Sequence, residues 1–209
     1  MIFLTLAALL GEDCFMKFAP PAKILIASDI FGMTEAFMRL ARSLGPETVP
    51  LCAHEDQALS FESEAEAYER FLQTGGIDAY VRRMRAVLAD DPAITALVGF
   101  SAGATAGWII CGSVEAQRLG TAVLFYGSRI RDHAALKPAC PVRLIFAEHE
   151  VGFDPGPLVQ GLAARGIPAE LVRGAGHGFM NELSAQYSPE LHRRFLGELR
   201  RLMAAPGQG

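Results

Sequence analysis

Apolar and polar positions fall into two kinds of block along the chain. Short, mostly apolar runs occur at 23–28 (KILIAS), 94–100 (ITALVGF), 121–126 (TAVLFY) and 142–146 (VRLIF), with briefer ones at 47–51 and 168–172. Runs of this length predict strands buried on both faces, as in a parallel sheet. Between them lie segments with helical spacing. Positions 34–44 bring Phe37, Leu40, Ala41 and Leu44 to one helical face, and Gly45 stops it. Positions 77–88 form an amphipathic pattern with the arginines outside, followed by Pro92; 102–111 is a helix of small residues; 157–165 ends at Gly166. Ser188 followed by Pro189 is an N-cap with proline at the first helical position, opening a last helix that reaches about Met203. The stretch 52–74 is acidic and weakly periodic, and reads as a loop excursion with room for a helical turn, broken at Gly75-Gly76.

Strands alternating with helices predict an α/β fold, a three-layer αβα sandwich around a mainly parallel sheet. Crossovers in such a sheet are right-handed, and ligands sit beyond the carboxyl ends of the strands. The pattern shows no repeat or interdomain linker, so 23–209 is expected to be one domain behind an N-terminal extension, 1–22. That extension begins with MIFLTLAALL, too short to span a bilayer and without the basic start of a signal peptide, the first lysine being Lys17. A terminal element packed on the domain or a translation start at Met16 would each account for it.

Composition narrows the class of function. The chain has 209 residues, 51% of them apolar and 20% charged, with a formal net charge of -4. Basic runs are lacking, so neither nucleic acid nor an anionic membrane surface is an expected partner. The four cysteines lie far apart, with no metal-ligand spacing, and scattered thiols suit a reducing cytoplasm. No metal is expected.

Candidate chemistry centres on Gly99-Phe100-Ser101-Ala102-Gly103, a G-x-S-x-G sequence between a strand and a helix. With nine serines and 21 glycines, chance supplies about 0.1 such matches, so the motif depends on its setting. In a sharp strand-to-helix turn the serine is exposed as a nucleophile, and its neighbours two positions away must be glycine to avoid a clash. A serine hydroxyl needs a base. His177, in GAGHGF after the last strand, has small neighbours and the right place in chain order. His54 and His133 have no serine-compatible order, His149 shares its loop with the acids, and His192 sits inside a helix. The acid that orients the base would come from the loop after 142–146: Glu150 first, then Asp154, then Glu148. For an oxyanion, the Ala102 N–H lies at a helix N-terminus, and the loop after the first strand offers the Ile30 N–H. Arg129 and Arg131 are positioned to meet an anionic substrate or simply to face solvent, and the acidic stretch 52–69 reads as a solvated loop near the site mouth.

The segments KILIASDIFGM (23–33), VGFSAGATAG (98–107), LFYGSRI (124–130), PVRLIFAEHE (141–150) and GAGHGFMN (174–181) together resemble the dienelactone hydrolase family of α/β-hydrolases, in family order over nearly the whole chain from Lys23. The resemblance implies an α/β-hydrolase fold without a large cap, no cofactor, a triad of Ser101, Glu150 and His177, and an oxyanion hole from the Ile30 and Ala102 amides. It also implies a small-molecule ester or lactone as substrate. Four positions depart from the family pattern. Ser101 stands where its best-known members carry cysteine, and Glu150 where aspartate is usual. Asp29 matches a longer glutamate that supports the nucleophile. Asn181 occupies the place of an arginine that holds the substrate carboxylate. The expected activity is therefore general carboxylic-ester hydrolysis through an acyl-enzyme. Thioester or small-peptide hydrolysis on the same residues, and ligand binding without turnover, are the competing expectations.

Overall fold

The computed structural model describes residues 23–55 and 60–204. The extension 1–22, with its two alternatives, lies outside the described residues. Six strands, β1 (Lys23–Ala27), β2 (Thr48–Leu51), β3 (Ile94–Phe100), β4 (Thr121–Phe125), β5 (Val142–His149) and β6 (Ala169–Gly176), form one parallel sheet in the order β2-β1-β3-β4-β5-β6. Each apolar run fills both faces of the sheet because successive side chains point to opposite sides. In β1, Ile24 and Ile26 join one core cluster while Leu25 and Ala27 join the other.

Helices α1 (Glu35–Ser43) and α6 (Pro189–Ala204) cover the first face through Leu40, Ala41, Phe195 and Leu199. Helices α2 (Glu64–Gln73), α3 (Gly76–Asp90), α4 (Ala102–Cys111) and α5 (Gly156–Ala164) cover the second through Phe71, Met84, Trp108 and Leu162. Among the described residues no cap domain stands over the sheet, and no helix is long and apolar enough to cross a membrane.

Three boundaries differ from the sequence expectation, and each bears on the site. Strand β5 runs on to His149 and β6 to Gly176, well past 146 and 172, because His149 pairs with Gly176 beyond a register shift. The stretch expected to be a loop contains α2, ten residues long. It was hard to see because only Ala67 and Phe71 are buried, a stripe one residue wide. Its start was nevertheless written in the sequence: the Ser63 hydroxyl accepts from the Glu66 N–H at 3.2 Å, the S-x-x-E capping pattern.

Candidate active site

The carboxyl ends of β1, β3, β4, β5 and β6 converge on one open cleft of about 710 Å³. Ser101 lies between β3 and α4 with φ 50° and ψ −111°, a backbone conformation that L-residues rarely hold. Such strain costs on the order of 1–3 kcal/mol and persists only where the surroundings enforce it. Here the Ser101 N–H donates to the Phe125 carbonyl (2.9 Å) and the Gly103 N–H to the Ser28 carbonyl (3.1 Å). A Cβ on Gly103 would lie 2.5 Å from the Ser28 oxygen, and one on Gly99 2.7 Å from the Gly103 oxygen. Gly103 is thus needed for α4 to start this close to β1, and Gly99 for the sharp turn from β3 into α4.

Ser101 Oγ is 2.9 Å from His177 Nε2, and His177 Nδ1 is 2.7 Å from Glu150 Oε2. The imidazole side chain is 28% exposed and the Glu150 side chain 2%, so the ring reaches solvent while its carboxylate partner does not. The strand extensions explain how the two meet. With His149 paired to Gly176, the next residues of each strand, Glu150 and His177, emerge side by side, and the His177 N–H donates to the His149 carbonyl at 3.1 Å. Glu150 therefore follows its strand directly rather than lying four residues into a loop.

The other two acids point elsewhere. Asp154 Oδ1 accepts from the Gly156 N–H (2.8 Å) at the start of α5, and Glu148 accepts from the Gly174 N–H (2.7 Å) beside Arg173.

Behind the imidazole stands Tyr126, itself at φ 39°, with its ring edge-on to His177 at 5.2 Å. Burial, with the Asp29 charge adding to it, pushes this phenol well above its ordinary range, so it stays neutral. Sequence reasoning did not single it out; its place at the end of a strand was the available signal.

The oxyanion candidates are backbone groups. Ala102 is the first residue of α4, and Ile30 lines the cleft. Neither N–H donates to a protein acceptor among the described residues. Asp29 makes its contacts away from Ser101: Oδ1 accepts from the Phe31 N–H (2.9 Å) and Oδ2 from Asn181 Nδ2 (2.8 Å). Burial pushes its carboxyl up to about 6, against the pull of these two hydrogen bonds and of His177. Asn181, where an arginine would hold a substrate carboxylate, is thus tied to Asp29.

The rest of the lining carries no lysine or arginine among the described residues. Arg129 pairs with Asp132 (3.1 Å), and Arg131 lies over the Phe153 ring, both away from the cleft. Phe61, Glu62, Ser63 and Glu64, just before and at the start of α2, form one wall. The acidic stretch therefore shapes the site instead of merely facing solvent.

Comparison with known proteins agrees with this architecture. A curated relative, an uncharacterized Bacillus subtilis protein, YczH, is 30% identical over 179 residues, spanning 82% of this chain and 87% of its own. Among solved structures, a Klebsiella pneumoniae candidate dienelactone hydrolase superposes with a TM-score of 0.69 at 18% identity, covering 91% of this chain and 90% of the other. A dienelactone hydrolase-like promiscuous phosphotriesterase from metagenomic libraries gives 0.65 at 16% identity, covering 88% and 86%. The family model of the dienelactone hydrolases matches residues 15–204. A match of that extent shows that the chain belongs to the dienelactone hydrolase family, and with it to the hydrolases.

Proposed function

We propose that the protein hydrolyses carboxylic esters or lactones that carry no negative charge near the scissile bond, by acyl transfer to Ser101. The observation that carries this reading is the hydrogen-bonded chain from Ser101 Oγ through His177 to the enclosed Glu150 carboxylate, at a strained strand-to-helix turn. Ser101 Oγ attacks the carbonyl carbon while its proton passes to His177 Nε2. Glu150 accepts from Nδ1–H, fixes that tautomer and stabilises the imidazolium. The Ile30 and Ala102 N–H groups receive the carbonyl oxygen as it becomes an oxyanion. On collapse the imidazolium returns the proton to the leaving alkoxide. Water, deprotonated by the same histidine, then releases the acid and restores Ser101.

Charge selects the substrate. A carboxylate-bearing lactone would meet Glu62, Glu64 and Asp29 with no cationic side chain in the lining to receive it. Exposed Val151 and Leu183 on the rim favour an apolar acyl or alcohol group instead. Buried thiols at Cys52, Cys111 and Cys140, none in a disulfide, support a cytoplasmic location.

The test is stoichiometric labelling by a fluorophosphonate, read by intact mass and peptide mapping. One label on Ser101, lost in Ser101→Ala and in His177→Ala, is the expected result. A folded protein that takes no label, yet melts higher with an ester ligand that it does not turn over, would make it a binding protein on a hydrolase fold.

A further inference from the structure

His54 is a buried histidine that the mechanism above does not use. It follows β2, is 1% exposed, and does not line the cleft. Its Nε2 lies 2.7 Å from the Ile30 carbonyl oxygen. A carbonyl only accepts, so Nε2 carries the proton. Nδ1 is buried and without a partner among the described residues.

The Ile30 carbonyl and the Phe31 N–H belong to one peptide group, and both ends of that group are held. His54 donates to its oxygen, and Asp29 Oδ1 accepts from its N–H at 2.9 Å. Asn181 holds the far oxygen of that carboxylate, and its own Oδ1 accepts from the Leu183 N–H. The preceding peptide, Asp29–Ile30, is anchored at its oxygen by Ser28 Oγ (3.0 Å) and the Gly32 N–H (3.4 Å). The Ile30 N–H in this loop has no acceptor among the described residues. Gly32, at φ 80°, brings the turn against the imidazole: a Cβ there would lie 3.3 Å from His54 Cδ2. The Cys52 thiol donates to the His54 carbonyl, and the ring lies 5.1 Å from that of Phe61 in the cleft wall.

We infer that His54 is a positioning residue of the oxyanion hole: by pinning the Ile30–Phe31 peptide it aims the Ile30 N–H at the developing oxyanion. This rests on the acyl-transfer reading above. A donor displaced by about 1 Å costs on the order of 10²-fold in rate, and the loss falls on the transition state rather than on substrate binding.

Three variants separate this role from simple support of the fold. His54→Phe keeps a ring and removes the donor. His54→Gln places an amide N–H near the Nε2 position, and His54→Asn falls short of it. Each is compared with the wild type in kcat and KM on a neutral p-nitrophenyl ester, and in affinity for a trifluoromethyl ketone, whose hemiketal oxygen occupies the oxyanion hole. Expected are a kcat about 10²-fold lower for the Phe and Asn variants with KM within about twofold, a parallel loss of ketone affinity, and recovery to within about threefold in the Gln variant. Should His54→Phe not fold, the Asn–Gln pair carries the same contrast. Unchanged kcat, a loss confined to KM, or equal loss in the Asn and Gln variants overturns the inference while leaving the hydrolase reading intact. A wild type that neither labels nor turns over ester overturns both.

Discussion

The two sides of the cleft are built on different principles. In the proposed reaction the working groups on the β5/β6 side are side chains, Glu150 and His177, and the backbone presents them from two strand ends joined by one extra pair, His149 with Gly176. On the β1 side the proposed working group is a backbone N–H, in a loop that side chains hold from far away in sequence: His54 from 24 residues off and, through Asp29, Asn181 from 152. Loss of a side chain on the first side removes a chemical step. Loss of one on the second leaves every reacting group present and misaims one of them. The difference predicts two classes of variant, one nearly inert and one slow.

The largest separation is expected between acids on the first side. Glu150→Gln keeps the size of the group but reverses its polarity toward His177 Nδ1, favouring the wrong tautomer. A fall in kcat on the order of 10⁴-fold is expected, with KM little changed. Asp154→Asn, at the head of α5, should stay within about threefold, because its hydrogen bond serves only the Gly156 N–H. Steady-state kinetics on one neutral ester decides it. Equal losses in the two would mean that the hydrogen bond between Glu150 and His177 does not orient the base.

A smaller effect should appear on the β1 side, in the pH profile. Asp29 accepts two hydrogen bonds, one per oxygen, and so must be ionised to satisfy both. Since burial raises its carboxyl to about 6, the ionised form is present above that pH and is lost as pH falls through it. As pH falls through 6 the ratio of wild-type to Asp29→Asn kcat/KM should therefore shrink toward one from roughly tenfold at pH 8, where the mismatched amides slow the variant. A ratio that stays flat between about pH 8 and pH 5 would remove Asp29 from the working part of the site.

The same contrast explains what could be read from the sequence. The proximity of Ser101 and His177 was legible because each leaves a local trace: glycines two positions from the serine, small residues around the histidine, each after an apolar run. The order β1 to β6 was legible for the same reason, since strands buried on both faces are written as apolar runs. Glu150 could be ranked but not separated from Asp154 and Glu148, because the pairing that lengthens β5 is made with β6, 27 residues downstream. Chain order alone sets His54 aside as a base, and nothing local in the sequence says that its ring meets Ile30. Asn181 looked like an absent substrate clamp; its hydrogen bond to Asp29 gives it a place in the loop instead.

Helix α2 offers the gentlest way to probe the wall that joins these two sides. It presents few buried side chains, so its start depends more than most on the Ser63 cap, and Phe61, which touches His54, lies two residues before that cap. Ser63→Ala removes the acceptor of the Glu66 N–H and should cost about 1 kcal/mol. In a chain of this size that lowers the melting temperature by roughly 2–4 °C. Activity on a small neutral ester should change by less than about twofold, because the Glu150–His177 pair and the His54 ring keep their own hydrogen bonds. If kcat instead drops as far as in His54→Phe, the first turn of α2 transmits to the oxyanion loop through Phe61, and the wall belongs to the backbone-holding side of the site rather than to its rim.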